Sequence, residues 1–249
     1  MSGHSKWATI KHKKGAADKA RGKLFAKLAR QIEVAARAGG GDPDMNPGLR
    51  TAVAKAKASQ MTNDAIDRAI KRGTGEAGAD SYESIIYEGY APGGVAVMID
   101  VLTDNRNRTG AEIRNVFSKH GGSMAEPGAV SWQFARRGVI LVSSVSDEDE
   151  LMMVALDGGA SDVVADGEHW RVESEPSDVS SIVEVLEGAG YNIVSADAPL
   201  VADNSVPVSD VETARKIIRV MSAIEDNDDV QDVFANFDMA DELLEEAAE

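Results

Sequence analysis

The sequence predicts a multidomain α+β fold, in which an N-terminal helical domain precedes two ferredoxin-like (split βαβ) α/β domains, one inserted in the other. Three observations support this prediction. The hydrophobic period is helical up to residue 75, and strands and helices alternate beyond it. Residues 138–197 have the element order β-α-β-β-α-β, which is that of a split βαβ unit. The strand, helix and strand of residues 94–135 lack a further helix and strand, and residues 208–239 supply both.

The chain of 249 residues is long enough for two or three domains. Element order and composition place the boundaries between them. We predict a flexible basic arm at residues 1–21, a helical domain at 22–75, a discontinuous middle α/β domain at 80–137 and 205–239, an inserted acidic α/β domain at 138–204 and an acidic tail at 240–249.

The helical domain is predicted from an amphipathic pattern. From Gly22 onward, apolar residues recur every four positions and basic residues occupy the opposite face, which is typical of a helix packed on one side. The triple glycine at 39–41 ends this helix. Two further helices are predicted in "LRTAVAKAKASQM" and "TNDAIDRAIKRG", and Thr62 or Asn63 is suited to cap the last one.

The stretch "GTGEAGADS" matches the G-x-G-x-x-G pattern at Gly73, Gly75 and Gly78. A dinucleotide site needs a strand before this pattern and a helix after it. Here a predicted helix precedes the glycines and a polar stretch follows them. We therefore interpret the stretch as an interdomain linker and predict no cofactor.

The two α/β domains are predicted from alternating strand and helix patterns. "SIIYEGYA" and "GVAVMIDVLTD" are typical of strands, "RTGAEIRNVFSKHGG" of a helix, and "AVSWQFARRGVILVSS" of one or two strands. In the inserted domain, Asp166 and Gly167 suit the tight turn of a hairpin. The helix "VSDVETARKIIRVMSAIED" and the strand "DVQDVFANFDM" complete the middle domain.

Composition excludes several kinds of site. The chain has no cysteine, so it has neither disulfides nor Cys-ligated metals. Its apolar runs are too short to span a membrane, and the N-terminus lacks the apolar stretch of a secretory signal. No His or carboxylate pair has metal-binding spacing. We expect a cytoplasmic protein without membrane, metal or cofactor association.

Charge is divided sharply along the chain. The net charge is −16, yet residues 1–75 carry +10, residues 76–140 carry −2 and residues 141–249 carry −24. This asymmetry predicts a basic binding region joined to an acidic body. The acidic body either serves solubility or binds a basic protein partner. The oligomeric state stays open, and a monomer is favoured.

The basic N-terminal region is the predicted nucleic-acid-binding site. Cations neutralise phosphates, and aromatic rings stack on unpaired bases. The alternative is a solvated basic tail, or pairing with the protein's own acidic end. The predicted contact residues are Lys6, Trp7, Lys11, His12, Lys13, Lys14, Lys19, Arg21, Lys23, Lys27 and Arg30.

A second basic cluster lies in "LTDNRNRTGAEIR", where Arg106, Arg108 and Arg114 surround a strand-to-helix turn that Thr109 is suited to cap. Guanidinium groups beside helix N–H groups can bind phosphate. Alternatively, the acidic and amide side chains bond their own backbone and the arginines are solvated. The local sequence does not decide between these, and we include the three arginines among the predicted nucleic-acid contacts.

An enzyme is a minority alternative. Asp104, Glu112 and His120 are candidate acid–base groups, with a site in a cleft between the α/β domains. The chain has no P-loop and no G-x-S-x-G motif. We therefore predict no catalytic residues.

Four long segments between Gly3 and Asp238 resemble the YebC-type family. They are "GHSKWATIKHKK", "KLARQIEVAARAGGGDPDMNPGLRTAVAKAKASQM", "YEGYAPGGVAVMIDVLTDNRNRTGAEIRNVFSKHGG" and "ETARKIIRVMSAIEDNDDVQDVFANFD". One departure is Thr62, where the family more often has Pro. The resemblance implies three domains and a non-enzymatic regulator of gene expression. Members are labelled probable transcriptional regulatory proteins, and mitochondrial relatives are known as translational activators of cytochrome oxidase.

Two hypotheses follow for the function. In the first, the protein is a transcriptional regulator that binds DNA through its basic N-terminal region. In the second, it is a ribosome-associated translational activator that relieves stalling, including at proline runs, by contacting ribosomal RNA. The family's label favours the first. The residues favour the second, because no helix-turn-helix spacing is evident and a basic arm with aromatic residues suits RNA.

Overall fold

The computed structural model describes residues 18–75, 82–143, 147–166 and 169–248. They form a multidomain α+β structure, which confirms the predicted fold class. The helices are α1 (Asp18–Gly39), α2 (Pro47–Ala58), α3 (Asn63–Gly73), α4 (Arg106–Lys119), α5 (Glu148–Asp157), α6 (Val179–Gly188), α7 (Val211–Glu225) and α8 (Asp241–Ala248). The strands are β1 (Glu83–Ala91), β2 (Val95–Thr103), β3 (Ser123–Ala125), β4 (Phe134–Arg136), β5 (Gly138–Ser143), β6 (Asp162–Asp166), β7 (His169–Ser174), β8 (Ile193–Asp197), β9 (Leu200–Ala202), β10 (Val206–Pro207), β11 (Val230–Ala235) and β12 (Phe237–Asp238).

The three N-terminal helices share one apolar core. Leu28 and Ile32 of α1 are buried together with Leu49 of α2 and Ile66 of α3. Burial of this apolar stripe stabilises the helices more than their intrinsic propensity does. The domain therefore presents its polar and charged faces outward.

The ends of these helices follow local chemistry. Asn46 caps α2 by accepting a hydrogen bond from the Leu49 N–H at 3.1 Å. Thr62 caps α3, one of the two predicted caps, and accepts from the Ala65 N–H at 3.4 Å. The first helix begins at Asp18 and not at Gly22, because the three residues after Asp18 are good helix formers that extend it past the glycine.

The middle domain contains an antiparallel sheet with the strand order β11-β2-β1-β3. The strands that follow helices lie at the two edges, as in a ferredoxin-like sheet. The third strand was predicted further along the chain, within "AVSWQFARR". The structure places it at Ser123–Ala125, and only three residues of β1 pair with it. So short a strand has no alternating pattern that the sequence could reveal.

The inserted domain has the strand order β6-β7-β5-β8, with all neighbours antiparallel. Its helices cover one face of this sheet, where Ile140 and Val172 are buried with Ile182 and Leu186. The predicted hairpin is present, since Asp166 of β6 pairs with His169 of β7. Asp166 therefore belongs to the strand, and residues 167–168, which include the predicted turn residue Gly167, lie outside the described residues.

Two short paired strands connect the middle domain to the inserted domain. Before the inserted domain, β4 runs antiparallel to β9, which follows it. β10 then pairs with β12 in parallel. Within the segment predicted as an acidic tail, Asp241–Ala248 form the helix α8, whose Leu244 and Ala247 are buried against the core of the middle domain.

Candidate nucleic-acid interface

The basic face of α1 lies against the middle domain. The Lys23 Nζ donates to the carbonyl and the carboxylate of Asp226, at 3.0 Å in each case. The Lys27 Nζ donates to the Glu225 carbonyl at 3.0 Å. Both carbonyls belong to the C-terminal end of α7, where the helix dipole attracts cations. These two lysines therefore link the helical domain to the middle domain.

Arg30 makes the most extensive of these contacts. Its Nη1 donates to the carbonyls of Leu102 and Asp228, at 3.1 and 2.7 Å, and to the Asp229 carboxylate at 3.1 Å. Its guanidinium also lies 4.9 Å from the ring centroid of Tyr82. One arginine thus joins the end of β2, the loop before β11 and the start of β1. That these three α1 cations bind nucleic acid stays a prediction, and the structure gives each an intramolecular partner.

Asp229 is the centre of a buried polar network. Its carboxylate accepts hydrogen bonds from Thr109 and Arg108 at 2.6 Å and from Thr103 at 3.0 Å. Burial alone would raise the pKa of this carboxyl, but the hydrogen bonds from Thr109, Arg108 and Thr103 outweigh burial and lower it. Asp229 is therefore a stable anion that holds Arg30 and α4 to the middle sheet.

This network corrects the cap predicted for α4. Asn105 caps the helix, and its side chain accepts from the Arg108 N–H at 3.1 Å. Thr109 lies inside the helix and is fully buried against Asp229. The sequence placed Asn105 only four residues before Thr109, and both residue types cap helices. Nothing in the local pattern indicated that the Thr109 hydroxyl donates to the distant Asp229 carboxylate.

The three arginines predicted around α4 have different surroundings. Arg108 is bound to Asp104 at 2.8 Å and to Asp229. Arg106 and Arg114 are exposed, and among the described residues their guanidinium groups make no hydrogen bond or ion pair. Both lie near Tyr87, whose hydroxyl donates to the Arg106 carbonyl at 2.9 Å. Burial raises the pKa of Tyr87, and the two arginines lower it by a smaller amount. Arg106 and Arg114 thus differ from Arg108, whose Nη2 is bound by two carboxylates.

The helical domain also exposes cations that sequence reasoning missed. Arg37, Lys57, Arg68 and Lys71 are exposed, and none has an ion pair within the part of the chain that the structure describes. Helical periodicity could have identified them, since they alternate with the buried apolar stripe. Arg21, which was predicted, is exposed as well. These exposed cations add to the candidate phosphate contacts of the helical domain.

The remaining predicted contacts lie at the start of the chain. Lys19 is in the first turn of α1. The others precede α1 and lie outside the described residues: Lys6, Trp7, Lys11, His12, Lys13 and Lys14.

Lys55 of α2 connects the helical domain to the inserted domain. Its Nζ lies 3.3 Å from the Asp197 carboxylate at the end of β8. Burial lowers the pKa of Lys55, but the carboxylates of Asp232, Asp197 and Asp100 together raise it by more. The cation is therefore retained beside carboxylates of both sheets.

Neither a clustered metal site nor a membrane-spanning helix occurs among the described residues. No group of three or more His, Asp or Glu side chains in 18–75, 82–143, 147–166 and 169–248 is arranged to hold a metal ion. None of the helices in those ranges is long and apolar enough to cross a membrane.

Two family models match the chain and together cover most of it. The model of the TACO1/YebC protein N-terminal domain matches residues 5–76. The model of the TACO1/YebC second and third domain matches residues 82–237.

Individual proteins match over their full lengths. A probable transcriptional regulatory protein of Halothermothrix orenii is 54% identical over 252 residues, with 100% of both chains covered. A protein of the same name from Rubrobacter xylanophilus is 56% identical over 250 residues, again with 100% of both covered. The crystal structure of a conserved hypothetical protein from Aquifex aeolicus is similar with a TM-score of 0.79 and 46% identity, covering 88% of this chain and 91% of that one.

Proposed function

The chain belongs to the TACO1/YebC family, and from this premise we propose that it is a non-enzymatic regulator of gene expression that binds nucleic acid through its basic N-terminal region. The observation that supports this most is the division of charge. Residues 1–75 carry a net +10 and residues 141–249 carry −24. Such a molecule binds a polyanion at one end only.

Transcriptional regulation through DNA is the first candidate. The relatives in Halothermothrix and Rubrobacter carry the name of probable transcriptional regulatory proteins. The exposed cations of the helical domain and the arginines at α4 suit phosphate contacts, which position a protein on DNA without selecting a sequence. Base selection would need a helix free to enter the major groove.

Contact with ribosomal RNA is the second candidate, and the packing of α1 favours it. Lys23, Lys27 and Arg30 hold this helix against the middle domain, so its basic face is not free to enter a major groove. A basic surface on a rigid body suits recognition of RNA shape and phosphates. In this case the protein acts on translation.

Co-sedimentation with ribosomes at physiological salt, with excess duplex DNA as competitor, separates the two candidates. The intact chain is compared with a chain lacking residues 1–17, which leaves α1 complete. If the intact chain sediments with ribosomes despite the DNA and the shortened chain does not, the result supports the translational function and assigns the contact to the arm. Release by DNA supports the transcriptional function. Failure to bind either polymer overturns the proposal.

A further inference from the structure

Trp132 is the largest exposed apolar side chain in the described residues. It lies in a short 3₁₀ turn at Ser131–Gln133, just before β4, and 69% of it is exposed. Tryptophan usually buries most of its surface, and an exposed ring costs free energy unless a ligand covers it. The exposure of this ring therefore indicates a ligand that covers it.

A buried carboxylate fixes the loop that presents Trp132. Glu88 of β1 is only 6% exposed. Its two oxygens accept hydrogen bonds from the backbone N–H groups of Gly128, Val130 and Ser131, at 2.7, 2.7 and 3.0 Å. Burial would raise the pKa of this carboxyl, but the three N–H groups lower it by more, so the charge is kept. The backbone before the tryptophan is thus held in one conformation.

The ring itself is also oriented by the protein. The Trp132 Nε1 donates to the Ala129 carbonyl at 3.1 Å, so the polar edge of the indole is satisfied within the loop. On the other side, the Gln133 carbonyl accepts from the Asp203 N–H at 2.8 Å. The Gln133 side chain accepts from Asn236 at 3.1 Å. An aromatic ring held by its own hydrogen bond, on a backbone fixed before and after it, loses little conformational entropy when a ligand covers it.

We infer that Trp132 is a stacking site for one unpaired nucleobase. This inference rests on the proposed nucleic-acid-binding function and adds a contact outside the basic N-terminal region. Aromatic rings stack on bases of any sequence, because every base has a π-face. Arg136, at the end of β4 four residues further along the chain, donates its Nη1 to the Ala198 carbonyl at 3.0 Å, so the inference rests on the ring itself.

A protein partner fits this surface less well. Protein interfaces bury a cluster of apolar side chains at their centre. Among the described residues of the loop at 126–133 and of β4 and β9, no other large apolar side chain is strongly exposed. An isolated flat ring with its N–H already bonded suits a single planar ligand.

The test compares the intact protein with the variants W132A and W132F. Each is titrated with labelled single-stranded oligouridylate, oligothymidylate and an abasic strand of equal length. M153A, which removes a side chain that is 63% exposed on the inserted domain, is the control. We expect W132A to weaken binding of base-bearing strands about tenfold, W132F and M153A to have little effect, and the abasic strand to bind all variants alike. The oligouridylate and oligothymidylate arms show whether RNA or DNA supplies the base.

Three outcomes overturn the inference. Equal affinity of W132A and intact protein for base-bearing strands removes the stacking contact and leaves the proposed function intact. Loss of ribosome co-sedimentation in W132A without loss of oligonucleotide binding identifies a protein contact instead. Absence of binding to every strand and to ribosomes overturns the proposed function as well.

Discussion

Arg30 and Asp229 form an ion pair of 3.1 Å across 199 residues of sequence, and this pair joins the helical domain to the middle sheet. Their side chains are only 18% and 7% exposed, so the charges are largely removed from water. Such pairs cost much to break, because the remaining charge keeps its desolvation penalty.

Replacing Asp229 with Asn should destabilise the protein by about 2 kcal/mol, since Arg30 and Arg108 lose the charge that compensates them. The control is D226A in the same loop. Asp226 pairs with Lys23 but its side chain is 77% exposed, so its loss should cost less than about 0.5 kcal/mol. Urea unfolding at pH 7 measures both. Equal effects of the two variants would contradict the central role of Asp229.

The Glu88 carboxylate should make stability depend on pH. Its pKa in the folded protein lies below the ordinary value of 4.5, so its contribution is complete above about pH 5 and is lost as the pH falls through the lowered value. The free energy of unfolding of E88Q should be lower than that of the intact protein by about 2 kcal/mol at pH 7, and the difference should shrink below pH 4.5.

Urea unfolding at pH 7, 5, 4 and 3 measures this difference. The control is E126Q, an exposed residue at the start of the same loop, which should match the intact protein. A difference that grows as the pH falls would have the wrong sign and would refute the assigned role of Glu88.

Gly138 should not tolerate a side chain. A Cβ at this position would collide with the Ser174 hydroxyl and lie 2.9 Å from the Glu175 carbonyl. We expect G138A to lower the free energy of unfolding by about 2 kcal/mol. The matched control is G188A in α6, where a Cβ would meet no atom within 4 Å and the helix should gain up to about 0.5 kcal/mol. Thermal unfolding of both variants, followed by circular dichroism, is the measurement. A tolerated G138A would mean that β5 can move away from β7.

Salt dependence should distinguish the arm from α1. Removing the charges of Lys11, Lys13 and Lys14 by alanine substitution should reduce the slope of log Kobs against log salt, by about 0.9 for each duplex phosphate that the protein no longer neutralises. Substituting Lys23 and Lys27 should leave the slope unchanged, because their Nζ atoms bond the end of α7. Fluorescence anisotropy with labelled duplex DNA gives both slopes. An equal reduction by the α1 pair would mean that α1 separates from the middle domain on binding.

Much of the fold follows from local pattern. The amphipathic period predicted three N-terminal helices, the hydroxyl of Thr62 was a suitable cap, and the β-α-β-β-α-β order predicted the inserted domain. The helix α8 was missed because its acidic residues conceal the spacing of its few apolar ones. Local periodicity predicts long regular elements well and short ones poorly.

The candidate site was harder to predict, because its decisive contacts join distant segments. Asp229 stands in the acidic run "EDNDDVQD", and nothing local separates it from Asp226 or Asp228. Its buried position depends on two threonines more than 100 residues earlier. Trp132 was predicted within a strand, and its exposure depends on Glu88 bonding the loop before it. Tertiary packing determined each of these positions.

The split middle domain has a consequence for how the chain is synthesised. The inserted domain can fold as soon as it leaves the ribosome, whereas β2 must wait for β11, more than 120 residues later, before its sheet is complete. Asp229 immediately precedes that strand and pairs with Arg30, so α1 can reach its final position only after Asp229 has been synthesised. A nascent chain interrupted before Asp229 would leave Arg30 without its counter-charge, and it would bind polyanions more readily than the folded protein does.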